Sequence, residues 1–184
     1  YFRLAVNPKD NEALLRALTF PSRGIGDTTM KKVTLCAIEN NQSYLEVMRH
    51  PDNFPLDMSG PMRKKISAFA AMIDEMAVQS EEMDAFRFAE MLLRQTGLTT
   101  ALMMDRTTEG IDRAQNVQEL LNAIREFVTQ RANEGIDYTP ITDFLSEVSL
   151  MTDQDDNQAD TTERVTLMTV HAAKGLEFPA VYIV

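Results

Sequence analysis

GPMRKKISAFAAMIDEMAVQSEEMDAFRFAEMLLRQTG, residues 60–97, decides the fold class. Met62, Ile66, Phe69 and Ile73 recur every three to four residues, the spacing that lines one face of an α-helix. Gly60-Pro61 opens the stretch, and a first helical turn tolerates proline because the amide it lacks has no partner there. The pattern predicts a helix from about Gly60 to Val78 and a second one starting at Ser80. Gly97 ends that second helix, since glycine enters the left-handed conformation that closes a helix without steric cost.

The same texture extends outward to about residue 152, with Met, Leu and Ala dominant. Upstream, Asp10 precedes NEALLRALTF, whose Leu14, Leu15 and Leu18 share one side, and Pro21 stops that helix. Asp27 is placed to cap TTMKKVTLCAIEN, where Met30, Val33 and Ala37 line up. Ser43 and Glu46 read as a capping box for a short helix ending near His50-Pro51. Downstream, residues 110–133 carry Ile111, Val117, Leu120, Leu121, Ile124 and Val128 ahead of Gly135, and Thr139-Pro140 starts a helix to about Leu150. The acid-rich DQDDNQADTTER, residues 153–164, reads as a mobile linker. After it come VTLMTV and PAVYIV, short β-rich runs around a compact turn. The expected fold is therefore an all-α helical bundle with a short C-terminal β segment from an α/β domain.

Composition narrows the function. The chain has 184 residues, 44% hydrophobic and 25% charged, which suits a globular core without staples. One cysteine, Cys36, excludes a disulfide framework, and it is expected to be buried and inert within a helix. His50 and His171 lie too far apart in sequence for a structural zinc site. Asp153, Asp155 and Asn157 begin like a calcium loop, but Gln158 stands where glycine is needed and Arg164 where a bidentate Glu belongs. No apolar run is long enough to span a membrane and the start does not read as a signal peptide, so the expected compartment is cytoplasmic. Asn41-Gln42-Ser43, a formal glycosylation match, then carries no meaning. A first residue other than Met suggests a piece of a longer protein. The net charge of −10 has the wrong sign for a general nucleic-acid binder, so any such contact must be local and lean on backbone amides.

Two segments have the make-up for such contacts. In PSRGIGDTT, residues 21–29, two glycines flank one apolar residue just before a helix. A loop of this kind brings amides close to a ligand, and the helix start adds free N–H groups and the positive end of its dipole. Arg23, Lys31 and Lys32 add local positive charge. The arrangement suits a phosphate of a nucleic-acid backbone, and a plain helix–helix turn is the alternative reading. The second segment is VTLMTVHAAKGLEF, residues 165–178, where polar Thr169 and His171 end a β-run before a turn bearing Lys174 and Glu177. Ligands of open α/β sheets sit at such carboxyl ends, although a satisfied loop histidine among surface charges gives the same pattern. The methionines at 83, 91, 103 and 104 read as pliable core, and Arg63-Lys64-Lys65 as a solvated face. No G-x-x-x-x-G-K-S/T phosphate loop is present.

At these residues the chain resembles superfamily 1 DNA helicases of the UvrD/PcrA/Rep type. VTLMTVHAAKGLEFPAVYIV resembles their motif V; the stretch from YFRLAVNPKD through PSRGIGDTT resembles the start of their accessory 2B subdomain; and FLSEVSLMTDQDD resembles its end. The resemblance implies a helical 2B-like subdomain over residues 1–160 and a returning fragment of the RecA-like motor subdomain 2A over 161–184. It implies that Arg23, Gly24, Ile25, Gly26 and Thr28 meet the duplex backbone beside Lys31 and Lys32, and that Thr169 and His171 contact the single strand. It implies that Gly175 and Glu177 belong with the nucleotide, and that Lys174 shares their motif. In the family, ATP and Mg²⁺ drive 3′-to-5′ translocation and unwinding. The Walker A and Walker B residues lie outside this sequence, so the fragment alone is expected to bind no cofactor and to be inactive.

Two functions follow. One is an accessory subdomain that grips duplexes and single-strand/duplex junctions without sequence preference, at roughly 10⁻⁴ to 10⁻⁶ M as for other non-specific contacts. The other is a helical protein–protein interaction module using the acidic and Met-rich surface. An independent hydrolase has no nucleophile–base pair or paired acids to support it.

Overall fold

A computed structural model describes residues 1–157 and 180–182. The chain forms two compact units, Tyr1–Leu150 and Met151–Val184. Helices appear in the order α1 (Phe2–Val6), α2 (Asn11–Thr19), α3 (Asp27–Glu39), α4 (Tyr44–Arg49), α5 (Gly60–Glu82), α6 (Ala85–Gln95), α7 (Leu98–Met104), α8 (Thr108–Asn133) and α9 (Ile141–Asn157), with a 3₁₀ turn at Pro51–Asn53. The described residues contain no strand.

In the first unit α5 is the spine. Of the expected stripe Ile66, Phe69 and Ile73 are buried and Met62 is half-buried, while Ala70 and Met76 join them on the buried face. α1 and α4 pack on α5, α2 and α3 pack on α4, and α6 gathers α7 and α8. Leu4, Leu14, Leu45, Met48, Phe88, Leu92 and Ile124 fill the core between them. Phe88 is wholly buried, which is worth about 1.5–3 kcal/mol relative to leaving it in water. Phe127 of α8 meets Phe144 of α9 edge-on at 5.6 Å. Gly97, at φ 76, closes α6 in the left-handed conformation.

Several boundaries differ from the sequence reading, each for a local reason. α5 continues to Glu82 because Ser80 does not cap anything: its buried hydroxyl donates to the Ala77 carbonyl one turn back. The cap of α6 is Asp84, whose carboxylate accepts the amides of Phe86 and Arg87, each at 3.1 Å. α3 is capped by Gly26, not Asp27, which is its first helical residue. Only half of the capping box at Ser43 forms: Ser43 Oγ accepts the Glu46 amide at 3.2 Å, while the Glu46 carboxylate pairs with Arg49. Asn11 takes the Tyr44 amide at 3.1 Å. The short helices α1 and α7 carry too few residues to show a period.

Other expectations meet the surface. Met103 and Met104 are each 77% exposed, while Met83 and Met91 are half-buried against the core. Ile111 and Leu120 are exposed, since α8 buries its apolar face chiefly through Ile124 and Phe127. Of the expected solvated face Lys64 and Lys65 are exposed, while Arg63 is half-buried, donating to the carbonyls of Pro51 and Leu56 and pairing with Asp52 at 3.3 Å. Cys36 is buried, and burial together with nearby Glu39 pushes its thiol up, with the Asn40 amide opposing.

In the second unit the acid-rich stretch begins as helix, because α9 runs on to Asn157. A helix once nucleated gains a hydrogen bond with each added residue, and neither Gly nor Pro interrupts residues 151–157. Ala180–Tyr182 are exposed and carry no regular structure. The remainder of the two expected β-runs, and residues 158–164 of the expected linker, lie outside the described residues.

Candidate nucleic-acid interface

The segment between α2 and α3 is built on one anchor. Ile25 is 8% exposed and belongs to the core cluster, so the glycines on either side of it are held at the surface. Gly24 sits at φ 66, in the left-handed region where a side chain is strained. Gly26 is extended, at φ −93 and ψ 176, and caps α3 with no side chain of its own. A Cβ placed on Gly26 would meet nothing within 4 Å. The amides of Thr29 and Met30 turn back to the Gly26 carbonyl, at 3.0 and 3.1 Å. Those of Asp27 and Thr28, both exposed residues, have no acceptor among the described residues. Two free N–H groups thus stand at the positive end of a 13-residue helix, beside a glycine that leaves the approach open.

The charges around this mouth are mixed. Lys31 is exposed, one turn beyond Asp27, whose own exposed carboxylate opposes an incoming anion. Lys65 of α5 reaches the loop: its Nζ lies 3.0 Å from where a Gly24 Cβ would sit. Sequence reading missed this lysine because only the tertiary fold brings α5 to the loop. Lys32 turns the other way, donating to the Asp57 carbonyl and pairing with the Asp57 carboxylate at 2.9 Å. Lys32 holds that carboxyl below the usual carboxylate range.

Arg23 points inward. Its Nη2 donates to the Tyr1 hydroxyl at 2.8 Å and to the Thr96 carbonyl at 3.0 Å. The guanidinium lies over the rings of Phe69 and Tyr1, 5.3 and 5.8 Å from their centroids. Its Nε is buried with no partner among the described residues. Tyr1 in turn donates to the Ala17 carbonyl at 2.6 Å. Burial raises the Tyr1 hydroxyl above its ordinary value, and Arg23 pulls the other way.

The structure therefore brings Gly24, Gly26, Thr28 and Lys31 together as an exposed group with Lys65, while Arg23, Ile25 and Lys32 are engaged by the protein. Thr169, His171, Lys174, Gly175 and Glu177 lie outside the described residues. An open groove of about 630 Å³ runs beside the start of α5, with Arg49, His50, Asp52, Asn53, Arg63 and Lys64 in its lining. It is a poorer anion site, because Arg49 is bound to Asp74 and Glu46 and Arg63 to backbone carbonyls. Among the described residues no group of His, Cys, Asp and Glu could hold a metal ion, and no helix is long and apolar enough to cross a membrane.

Comparison with known proteins gives the lineage. The family model of the UvrD-like helicase C-terminal domain matches residues 1–184. The chain is 34% identical over 187 residues to an ATP-dependent DNA helicase PcrA of Leuconostoc citreum. It is 30% identical over 183 residues to the proteins of that name from Staphylococcus epidermidis and Staphylococcus aureus. Each match covers 100% of this chain and 24% of the relative, so the chain spans about a quarter of their length. The whole sequence having been matched, the chain belongs to the UvrD-like helicase C-terminal domain family.

Proposed function

We propose that this chain is the duplex-gripping accessory part of an ATP-dependent 3′-to-5′ DNA helicase. Residues 1–160 act as the helical 2B-like subdomain and residues 161–184 as a returning piece of motor subdomain 2A. The loop Gly24–Thr28, with Lys31 and Lys65 beside it, takes a phosphate of the duplex backbone near a single-strand junction, without reading sequence. The observation that carries this reading is the mouth of α3: two unpartnered amides behind an open glycine, in a chain related to DNA helicases.

The remaining roles rest on the motif match. Thr169 and His171 face the single strand, and Gly175 and Glu177 reach the nucleotide. ATP and Mg²⁺ supply the energy for translocation in the intact cytoplasmic enzyme, and this chain alone, which has no G-x-x-x-x-G-K-S/T sequence, hydrolyses nothing. The test replaces Gly24 and Gly26 by bulky residues in the intact parent. Duplex-junction binding and unwinding fall if the reading holds; unchanged binding and unwinding would reduce the loop to a turn.

A second reading, a protein-interaction module, draws support from Met103, Met104 and Ile111, all well exposed around the α7–α8 junction. Replacing Gly26 by a bulky residue separates the two: duplex affinity falls on the first reading and stays as it was on the second.

A further inference from the structure

We infer that Arg23 is a positioning residue that locks the phosphate loop from beneath and does not itself touch the phosphate. This rests on the loop's proposed function.

A guanidinium is costly to bury, and it is tolerated inside a protein only where partners replace its water. Arg23 has such partners on three elements: the Tyr1 hydroxyl at the start of α1, the Phe69 ring on α5 and the Thr96 carbonyl at the end of α6. None is an acid: among the described residues no carboxylate lies within ion-pair distance of Arg23. The arginine is therefore not the half of a salt bridge that happens to sit nearby. It is a fork and a flat plate fitted between elements, a shape lysine cannot reproduce with one ammonium group. What it fixes is its own backbone, and Gly24 follows directly. Gly24 has glycine's wide conformational freedom and stands in the left-handed region. With Arg23 clamped on one side and Ile25 buried on the other, that freedom is removed before any ligand arrives. A loop held in its binding conformation does not bear the ordering cost on association.

Direct contact and positioning differ in a measurable way. A residue that neutralises a phosphate releases counterions, and removing it lowers the slope of log affinity against log salt by about 0.9 on duplex DNA. A positioning residue lowers affinity and leaves the slope alone. The experiment uses the full-length helicase and a duplex with a single-stranded tail, with affinity read by fluorescence anisotropy across a salt series. Arg23→Gln is expected to weaken binding about tenfold with an unchanged slope, and to speed amide exchange over residues 24–30. Lys31→Gln, the comparison, is expected to reduce the slope by about 0.9 without changing exchange. Arg23→Lys keeps the charge and is expected to stay at least about fivefold weak; it decides by the same readouts if Arg23→Gln does not fold. A slope reduced by about 0.9 in Arg23→Gln, wild-type affinity in either variant, or unchanged exchange overturns the inference. Failure of the phosphate reading looks different: bulky residues at Gly26 would then leave affinity untouched.

Discussion

If the mouth of α3 takes a phosphate as proposed, substitution at Gly26 moves fold stability and DNA binding in opposite directions. At φ −93 and ψ 176 it already has the extended backbone of an N-cap, and an added Cβ meets nothing within 4 Å. Gly26→Ser therefore enters without strain, and its hydroxyl accepts the amide of Thr28 or Thr29. Capping by Ser in place of Gly contributes a few tenths of a kcal/mol, and the loss of glycine freedom from the unfolded chain adds about 0.4–1 kcal/mol. The sum is near 1 kcal/mol, which raises the Tm of the 184-residue chain by about 2–4 °C. The same hydroxyl occupies the mouth where a phosphate oxygen would bind. Losing one hydrogen bond to a charged group costs about 1.5–3 kcal/mol, so duplex affinity of the intact helicase falls roughly 10- to 150-fold. Gly26→Asp should give a similar rise in Tm and a larger, salt-sensitive loss of affinity, because it adds a carboxylate. Calorimetry reads the first quantity and anisotropy with a junction DNA the second. A Gly26→Ser protein that melts higher yet binds duplex within about twofold of wild type would refute the phosphate site; one that melts lower would refute the cap geometry.

Further outcomes concern the fold. Gly110→Ala should lower Tm by about 4–8 °C, from about 2 kcal/mol of overpacking, because its Cβ would stand 2.6 Å from the Asp105 carbonyl oxygen and 2.3 Å from the Asp105 carboxyl carbon. Asp84→Ala should cost about 1 kcal/mol in denaturant unfolding, whereas Ser80→Ala should stay within about 0.5 kcal/mol, which tests where α6 is capped. The Asp10 carboxyl is held below its ordinary value by the Ala13 amide and by Arg3. A depressed carboxyl stabilises fully above its unfolded value and loses that contribution as pH falls through its folded one. The Tm difference between wild type and Asp10→Asn should thus be full at about pH 5 and above and close as the pH falls below about 4.

Where adjacent residues carry the information, the sequence sufficed. Ile66, Phe69 and Ile73 announced α5 because a helix repeats its buried face every turn, and Gly97 announced a stop because few residues accept φ 76. The glycine–isoleucine–glycine loop before α3 was visible for the same reason, since its residues are consecutive. Ser80 and Asp84 were harder to rank, because both can cap and the choice depends on which hydroxyl or carboxylate finds an amide. The exposed Met103 and Ile111 show a further limit: an apolar side chain carries no record of whether another element covers it.

The sequence by itself determined a helical body, the loop that opens α3 and the helicase lineage, all of which follow from local spacing or from motifs. Only the tertiary structure decided which charges that loop presents. Arg23 is drawn inward by Tyr1, Phe69 and Thr96, Lys32 is taken by Asp57, and Lys65 arrives from another helix. The physical reason is that a long cationic side chain is placed by whichever partners lie within its reach, and those partners come from residues distant along the chain.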